Sequence, residues 1–192
     1  MIDRYRAIQI VLDYVSGDDL VLSTTGMISR EVFATRDRPG NFYMLGSMGL
    51  LSSFGLGLAL LVPRKRVFLL EGDGSALMSL GTLPLIAAER PGNLGHIILD
   101  NEAYESTGVQ PSISSQVDLA DIARSSGYAR VVKVDGAVGL DQALMDCNPG
   151  GGPFLILVKV GIAPIEGIPR VSHSPPDIRD RFRDTIQRLG RH

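Results

Sequence analysis

The chain of 192 residues has one cysteine, no tryptophan and three histidines. A single Cys147 excludes a disulfide scaffold, a four-thiolate zinc site and a cysteine-held iron–sulfur cluster, and with no disulfide the expected compartment is a reducing cytoplasm. Neither sign of charge dominates: 19 Lys and Arg face 21 Asp and Glu, a formal net charge of -2. No whole-domain field therefore attracts nucleic acid or an acidic membrane. Long hydrophobic runs are also missing. Gly, Ser or Pro interrupts each apolar stretch well short of a bilayer span, and the start, MIDRYRAIQI, lacks the apolar core of a signal peptide. There is no internal repeat and no low-complexity tract.

Glycine is present in excess, 22 residues against a usual share of ~7%, and it clusters where short apolar runs end. Residues 2–15 carry apolar side chains at Ile2, Tyr5, Ile8, Val11, Leu12 and Val15, the spacing of one helix face. Buried strands are predicted at Leu20–Leu22, Phe42–Leu45, Val67–Leu70, His96–Leu99, Val131–Val134 and Phe154–Val160. Helices are predicted between them: Ser29–Phe33, residues 50–62 (buried on most sides), Ala76–Glu89, a helix capped by Asp118, and Leu140–Met145. Strands alternating with helices predict an α/β fold, a doubly wound parallel sheet with helices on both faces. Residues 1–162 form this domain. Residues 163–192 form a proline-rich extension and an amphipathic helix from Ser174, whose stripe Ile178, Phe182, Ile186 and Leu189 needs a surface in this domain or in a partner. The Arg and Asp residues mixed along that helix read as a solvated face.

In an open parallel sheet, ligands sit beyond the carboxyl ends of the strands. Four such ends carry Thr24-Thr25-Gly26, Gly46-Ser47-Met48-Gly49, Gly72-Asp73-Gly74-Ser75 and Asn101. Gly74 and Ser75 lead into a helix, whose free N–H groups favour a phosphate. Asp73 could bring Mg²⁺, a cation that takes oxygen ligands and bridges phosphates. The Asn101 amide oxygen and the Ala103 carbonyl could be further ligands. Gly-Asp-Gly alone is equally a tight turn after a strand. A dinucleotide site fits poorly, since Leu77 stands where G-x-G-x-x-G needs its third glycine.

Gly72-Asp73-Gly74, then 26 residues, then Asn101, resembles the diphosphate-and-metal motif of thiamin diphosphate enzymes. Within that family, Ser23-Thr24-Thr25-Gly26 with Ser29-Arg30-Glu31, Asn41 through Gly49, and Ser106-Thr107-Gly108 before Gln110 look like the sulfopyruvate and phosphonopyruvate decarboxylases, over nearly the whole chain. The resemblance implies cofactor contacts at Thr25, Gly26, Gly46, Ser47, Met48, Gly49, Gly72, Asp73, Gly74, Ser75, Asn101, Ala103 and Tyr104. It implies Mg²⁺ ligands at Asp73, Asn101 and Ala103, and catalytic parts for Met48 and Thr107. The Gly46 carbonyl would accept from the pyrimidine amino group, and Met48 would wedge the cofactor into its bent shape, a task suited to a polarizable filler.

The activating glutamate of the family lies on a pyrimidine-binding domain. The resemblance therefore implies a hetero-oligomer, with a separate alpha subunit supplying that glutamate; Glu71, Glu102 and Glu105 are not assigned the role. The implied reaction decarboxylates a small anionic 2-oxoacid, 3-sulfopyruvate to sulfoacetaldehyde and CO₂. Phosphonopyruvate is the alternative, and a non-catalytic thiamin diphosphate-binding regulatory module is a further one. Arg30 is either an anchor for the second anion or a solvated arginine paired with a nearby carboxylate. His96 reads as structural, His173 as part of a tail that covers the site or not, and Cys147 as inert.

Overall fold

The computed structural model describes residues 1–147, 151–162 and 167–189, apart from the side chain of Leu189. The strands are β1 (Ile2–Asp3), β2 (Leu20–Ser23), β3 (Asn41–Tyr43), β4 (Val67–Gly72), β5 (Leu94–Asp100), β6 (Ala103–Tyr104), β7 (Gln110–Pro111), β8 (Arg130–Val134) and β9 (Phe154–Gly161). The helices are α1 (Arg4–Tyr14), α2 (Met27–Thr35), α3 (Leu51–Leu61), α4 (Asp73–Met78), α5 (Thr82–Glu89), α6 (Leu119–Ser126), α7 (Ala137–Asp146) and α8 (Pro175–Leu189).

Among the described residues, seven strands make one sheet in the order β3-β2-β4-β5-β9, with β1 and β8 both beside β9; every pairing in it is parallel. Alternation within the strands feeds two cores. Val21, Phe68, Leu70, Ile97, Leu99, Ile156 and Val158 face α1, α2 and α7, and Leu20, Leu22, Leu69, Ile98, Leu155 and Leu157 face α3, α5 and α6. Strands buried on both sides read as unbroken apolar runs, which is why a stretch such as Val67–Leu70 carries no polar residue. From β2 the chain steps outward to β3, then returns to the other side of β2 as β4. That reversal opens a crevice beyond the carboxyl ends of β2 and β4.

Local chemistry sets the helix boundaries. Asp118 accepts from the N–H groups of both Ala120 and Asp121 and starts α6, a cap worth ~1 kcal/mol. Gly127, at φ 103°, ends it. Ala76–Glu89 is not one helix: it divides into α4 and α5 around Ser79-Leu80-Gly81. Pro84 explains the break. It has no N–H and suits a first helical turn, as in α5, whereas in the interior of one long helix it would cost ~3 kcal/mol.

The α3 helix also differs from the expectation of burial on most sides. Gly55 does pack closely, since a Cβ there would overlap the Leu69 side chain. The opposite face, however, exposes Phe54, Leu60 and Leu61. The loop 101–115 is more ordered than its polar composition suggests, with β6 and β7 pairing antiparallel and two short 3₁₀ turns. In α8, Ile178 and Phe182 are buried and Ile186 packs on the second core. The Phe182 ring meets Phe42 at 5.3 Å, so the helix covers β3 of its own chain. Pro164 and the boundary expected at 162/163 fall at the edge of or within 163–166, outside the described residues, as does the Leu189 side chain. No described helix is long and apolar enough to cross a membrane.

Candidate functional site

A cavity of about 110 Å³ lies in the crevice. Thr24 and Thr25 after β2, Gly72, Asp73, Gly74 and Ser75 after β4, and Asn101, Ala103, Tyr104 and Thr107 after β5 all line it, together with Met48. Residues 73 and 101, 28 positions apart, line one cavity because β4 and β5 are adjacent and in register, Gly72 opposite Leu99.

Asp73 is buried, and its Oδ2 accepts from the hydroxyls of Ser112 and, at 3.2 Å, Ser114. Burial pushes its carboxyl above the ordinary range; the Ser112 bond lowers it and the Asp100 charge raises it again. No cationic side chain pairs with Asp73 among the described residues. A buried carboxylate without a cation is a costly arrangement. Clusters of three or more His, Cys, Asp or Glu suited to a metal are absent among the described residues. The oxygens that could hold a divalent ion are instead one carboxylate (Asp73), one amide (Asn101) and one backbone carbonyl (Ala103), a hard-donor set matching Mg²⁺.

The Asn101 amide is fixed from behind. Nδ2 donates to Glu105 Oε2 at 3.0 Å, while Oδ1 accepts the Ala103 N–H at 3.1 Å. Glu105 is held by Arg4, whose Nε and Nη2 also reach Glu31 at 2.8 and 2.7 Å. Burial by itself would lower the Arg4 guanidinium; the bonds and charges of Glu31 and Glu105 outweigh it and raise it.

Ser75 is the hub of a second buried network. Its hydroxyl donates to Glu71 at 2.6 Å and accepts from Thr24 and from the Gly49 N–H at 3.1 Å. The other Glu71 oxygen lies 2.8 Å from His96 Nε2, and His96 Nδ1 lies 3.3 Å from the Tyr128 hydroxyl. This chain of bonds ties the turn after β3 to the turn after β4.

A Cβ on Gly74 would overlap the Tyr104 ring and stand 3.2 Å from the Met48 methyl. Met48, Gly74 and Tyr104 thus meet at one wall, with Met48 still 37% exposed. Ser47 and Glu102 both take positive φ, 57° and 58°. Such backbone is uncommon outside glycine and concentrates at sites where the fold enforces it. Here each residue immediately precedes one that lines the cavity, Met48 or Ala103.

The remaining candidates sit apart. Gly46 and Ser47 line a separate depression with Phe42, Pro175 and Ile178. Gly26 lines a neighbouring cavity, and Gly49 is packed behind Ser75 and Met78. Thr107 does face the first cavity and donates to Gln110 at 2.9 Å. Arg30 pairs with no carboxylate among the described residues; it donates to the carbonyls of Ile168 and Pro169. His173 bonds Asp37 at 2.8 Å, away from the first cavity. Cys147 is buried, which pushes its thiol up. Arg4, Glu31, Glu71, Glu105, Ser112 and Ser114 are the site's supporting residues that the sequence pattern did not assign.

Comparison with known proteins identifies the family. Residues 24–158 match the thiamine pyrophosphate enzyme C-terminal TPP binding domain. The chain is 42% identical to sulfopyruvate decarboxylase subunit beta of Methanothermobacter thermautotrophicus, over 95% of this chain and 94% of that one. It is 39% identical to phosphonopyruvate decarboxylase of Streptomyces viridochromogenes, over 94% of this chain but 45% of that protein, so it spans under half of the latter's length. Its fold superposes on benzoylformate decarboxylase of Polynucleobacter necessarius with a TM-score of 0.73 at 16% identity, covering 84% of this chain and 34% of that one. The chain belongs to the thiamine pyrophosphate enzymes.

Proposed function

We propose that this member of the thiamine pyrophosphate enzymes is the diphosphate-binding subunit of a 2-oxoacid decarboxylase that converts 3-sulfopyruvate to sulfoacetaldehyde and CO₂, with Mg²⁺ as its metal. The observation that carries the proposal is the convergence of Asp73, Asn101 and Ala103 on one cavity at the sheet's reversal point, with Met48 against Gly74. Thiamin diphosphate, when bound, supplies the electron sink that a 2-oxoacid needs in order to lose CO₂.

The chain's own residues supply grip and orientation. Asp73, the Asn101 amide oxygen and the Ala103 carbonyl would hold Mg²⁺, and Gly72, Gly74 and Thr25, which line the same cavity, would face the diphosphate, with Gly26 beside them at the neighbouring cavity. Ser75 is committed to Glu71 and Gly49, so it locks the two turns together. Gly46, Ser47 and Gly49 set the course of the backbone that presents Met48, which would wedge against the cofactor rings, while Tyr104 backs that wall. Thr107 is neutral and repels an anionic substrate less than a carboxylate would.

The pyrimidine-binding half and its activating glutamate come from outside this sheet. The name subunit beta of a relative 42% identical to this chain supports a separate alpha subunit. So do the exposed apolar side chains of Leu45, Met48, Leu50 and Phe54, close together in the chain at the start of α3, a kind of surface that marks a protein interface. Phosphonopyruvate is the second substrate reading, supported by 39% identity to a phosphonopyruvate decarboxylase.

The test is CO₂ release from 3-sulfopyruvate, phosphonopyruvate and pyruvate, by the chain alone and with the pyrimidine-domain subunit. Release only by the pair, fastest from 3-sulfopyruvate, is expected. Cofactor binding by the pair without CO₂ release from any of the three would leave the regulatory module in its place.

A further inference from the structure

A second cavity, about 500 Å³, adjoins the first and shares Thr25, Met27 and Ser106 with it. Two guanidinium groups, Arg30 and Arg170, stand in its wall, and among the described residues no carboxylate does. Arg30 bonds Pro169 O at 3.2 Å and Ile168 O, and its third neighbour is the Met27 sulfur at 3.4 Å. These partners are neutral, so nothing among the described residues cancels the Arg30 charge, and a guanidinium has N–H groups left over after such contacts. The same bonds strap the tail to α2 and bring Arg170 to the cavity. Arg170 is exposed and makes no side-chain hydrogen bond or ion pair among the described residues. The nine-residue α2 begins here, just after Gly26, with no side chain capping its first turn; its partial positive charge adds to that of the arginines.

We infer that this second cavity holds the sulfonate or phosphonate end of the substrate, with Arg30 and Arg170 as specificity-determining residues. The inference rests on the decarboxylase reading above. It follows from which charge survives the reaction. The substrate carboxylate loses its charge as CO₂ leaves, so a tight ion pair there would favour the ground state and oppose the step. The distal anion keeps its charge throughout, and holding it orients the substrate at no such cost. A guanidinium fork matches the tetrahedral oxygens of either group. The diphosphate, by contrast, belongs with the metal oxygens of the first cavity.

Arg170→Gln in the assembled two-subunit enzyme is the cleanest test, because Arg30 also holds the tail. The ratio of kcat/KM for 3-sulfopyruvate to that for pyruvate should fall about ten- to one-hundred-fold, mostly through KM. Arg30→Lys, which keeps the charge, should give a smaller fall. A ratio unmoved in both variants overturns the inference and leaves the decarboxylase reading standing. Calorimetry needs no turnover: 3-sulfopropionate and 3-phosphonopropionate should bind the wild-type assembly about ten-fold or more tighter than Arg170→Gln, and propionate should not distinguish them. The tighter of the two probes identifies the anion. If the wild type decarboxylates none of the three 2-oxoacids, the proposed function fails and this binding alone decides the inference. Arg170→Gln that weakens thiamin diphosphate and spares both probes would give the cavity to the cofactor and overturn it.

Discussion

Asn101 Nδ2 donates to Glu105 Oε2 at 3.0 Å, so a carboxylate four residues on fixes which way the amide oxygen turns. Partners behind a metal ligand typically govern ~10–100-fold in affinity. Glu105→Gln should therefore weaken Mg²⁺-dependent binding of thiamin diphosphate about ten-fold, read by calorimetry at fixed Mg²⁺. Undiminished affinity would mean that the amide is oriented by its Ala103 bond alone.

Arg4 anchors that arrangement between two carboxylates, Glu31 and Glu105. Arg4→Met strands Glu31, which is 1% exposed, as a buried charge. The expected loss is ~3–5 kcal/mol of unfolding free energy, since breaking one side of a buried pair is costly. Combining it with Glu31→Leu should recover much of the loss, because apolar replacement of a whole buried pair is often neutral. Urea denaturation of the single and double variants measures both. A single variant as stable as wild type would contradict the account.

Asp73 gives a pH signature. Its folded value lies above the ordinary range, chiefly through burial. Between ~3.9, the unfolded value, and the raised folded value, the native chain keeps a proton that the unfolded chain has released. Stability therefore falls as pH rises through that window. Asp73→Asn should melt at a higher temperature than metal-free wild type at pH 7, and the two curves should converge below about pH 4. Mg²⁺ with thiamin diphosphate should raise the melting temperature of wild type only, and less at acid pH, where protons compete with the metal. A metal-free variant that melts below wild type at pH 7 would contradict the burial penalty.

Met48→Ala addresses geometry. The side chain meets the Gly74 wall and is otherwise open to the cavity. In the assembled enzyme its truncation should lower kcat roughly ten- to one-hundred-fold, because small misplacements are costly, while cofactor affinity changes less. Equal losses in both would make Met48 a simple packing contact.

The alternation of apolar strands and helices made the fold class legible in the sequence, and the spacing from Asp73 to Asn101 pointed to two residues that line one cavity from adjacent strands. Both depend on local pattern and on adjacent strands. The supporting residues were not legible, because their partners lie far away in the chain: Arg4 and Glu105 are 101 positions apart, and Asp73 and Ser112 are 39 apart. Nothing in a helix period marks Arg4 as buried. Pro84 was a readable signal of the break between α4 and α5, hidden by the apolar run around it. The arginine-lined cavity could not be seen either, since Arg170 reaches it through a tail whose prolines indicate only extended chain.

Calorimetric titration of thiamin diphosphate into the assembled enzyme, with and without Mg²⁺, tests the central claim most directly. Binding should require Mg²⁺ in the wild type and be lost in both Asp73→Ala and Asn101→Ala, since each removes an oxygen from the same ion. Binding that persists without the metal, or survives both substitutions, would contradict it.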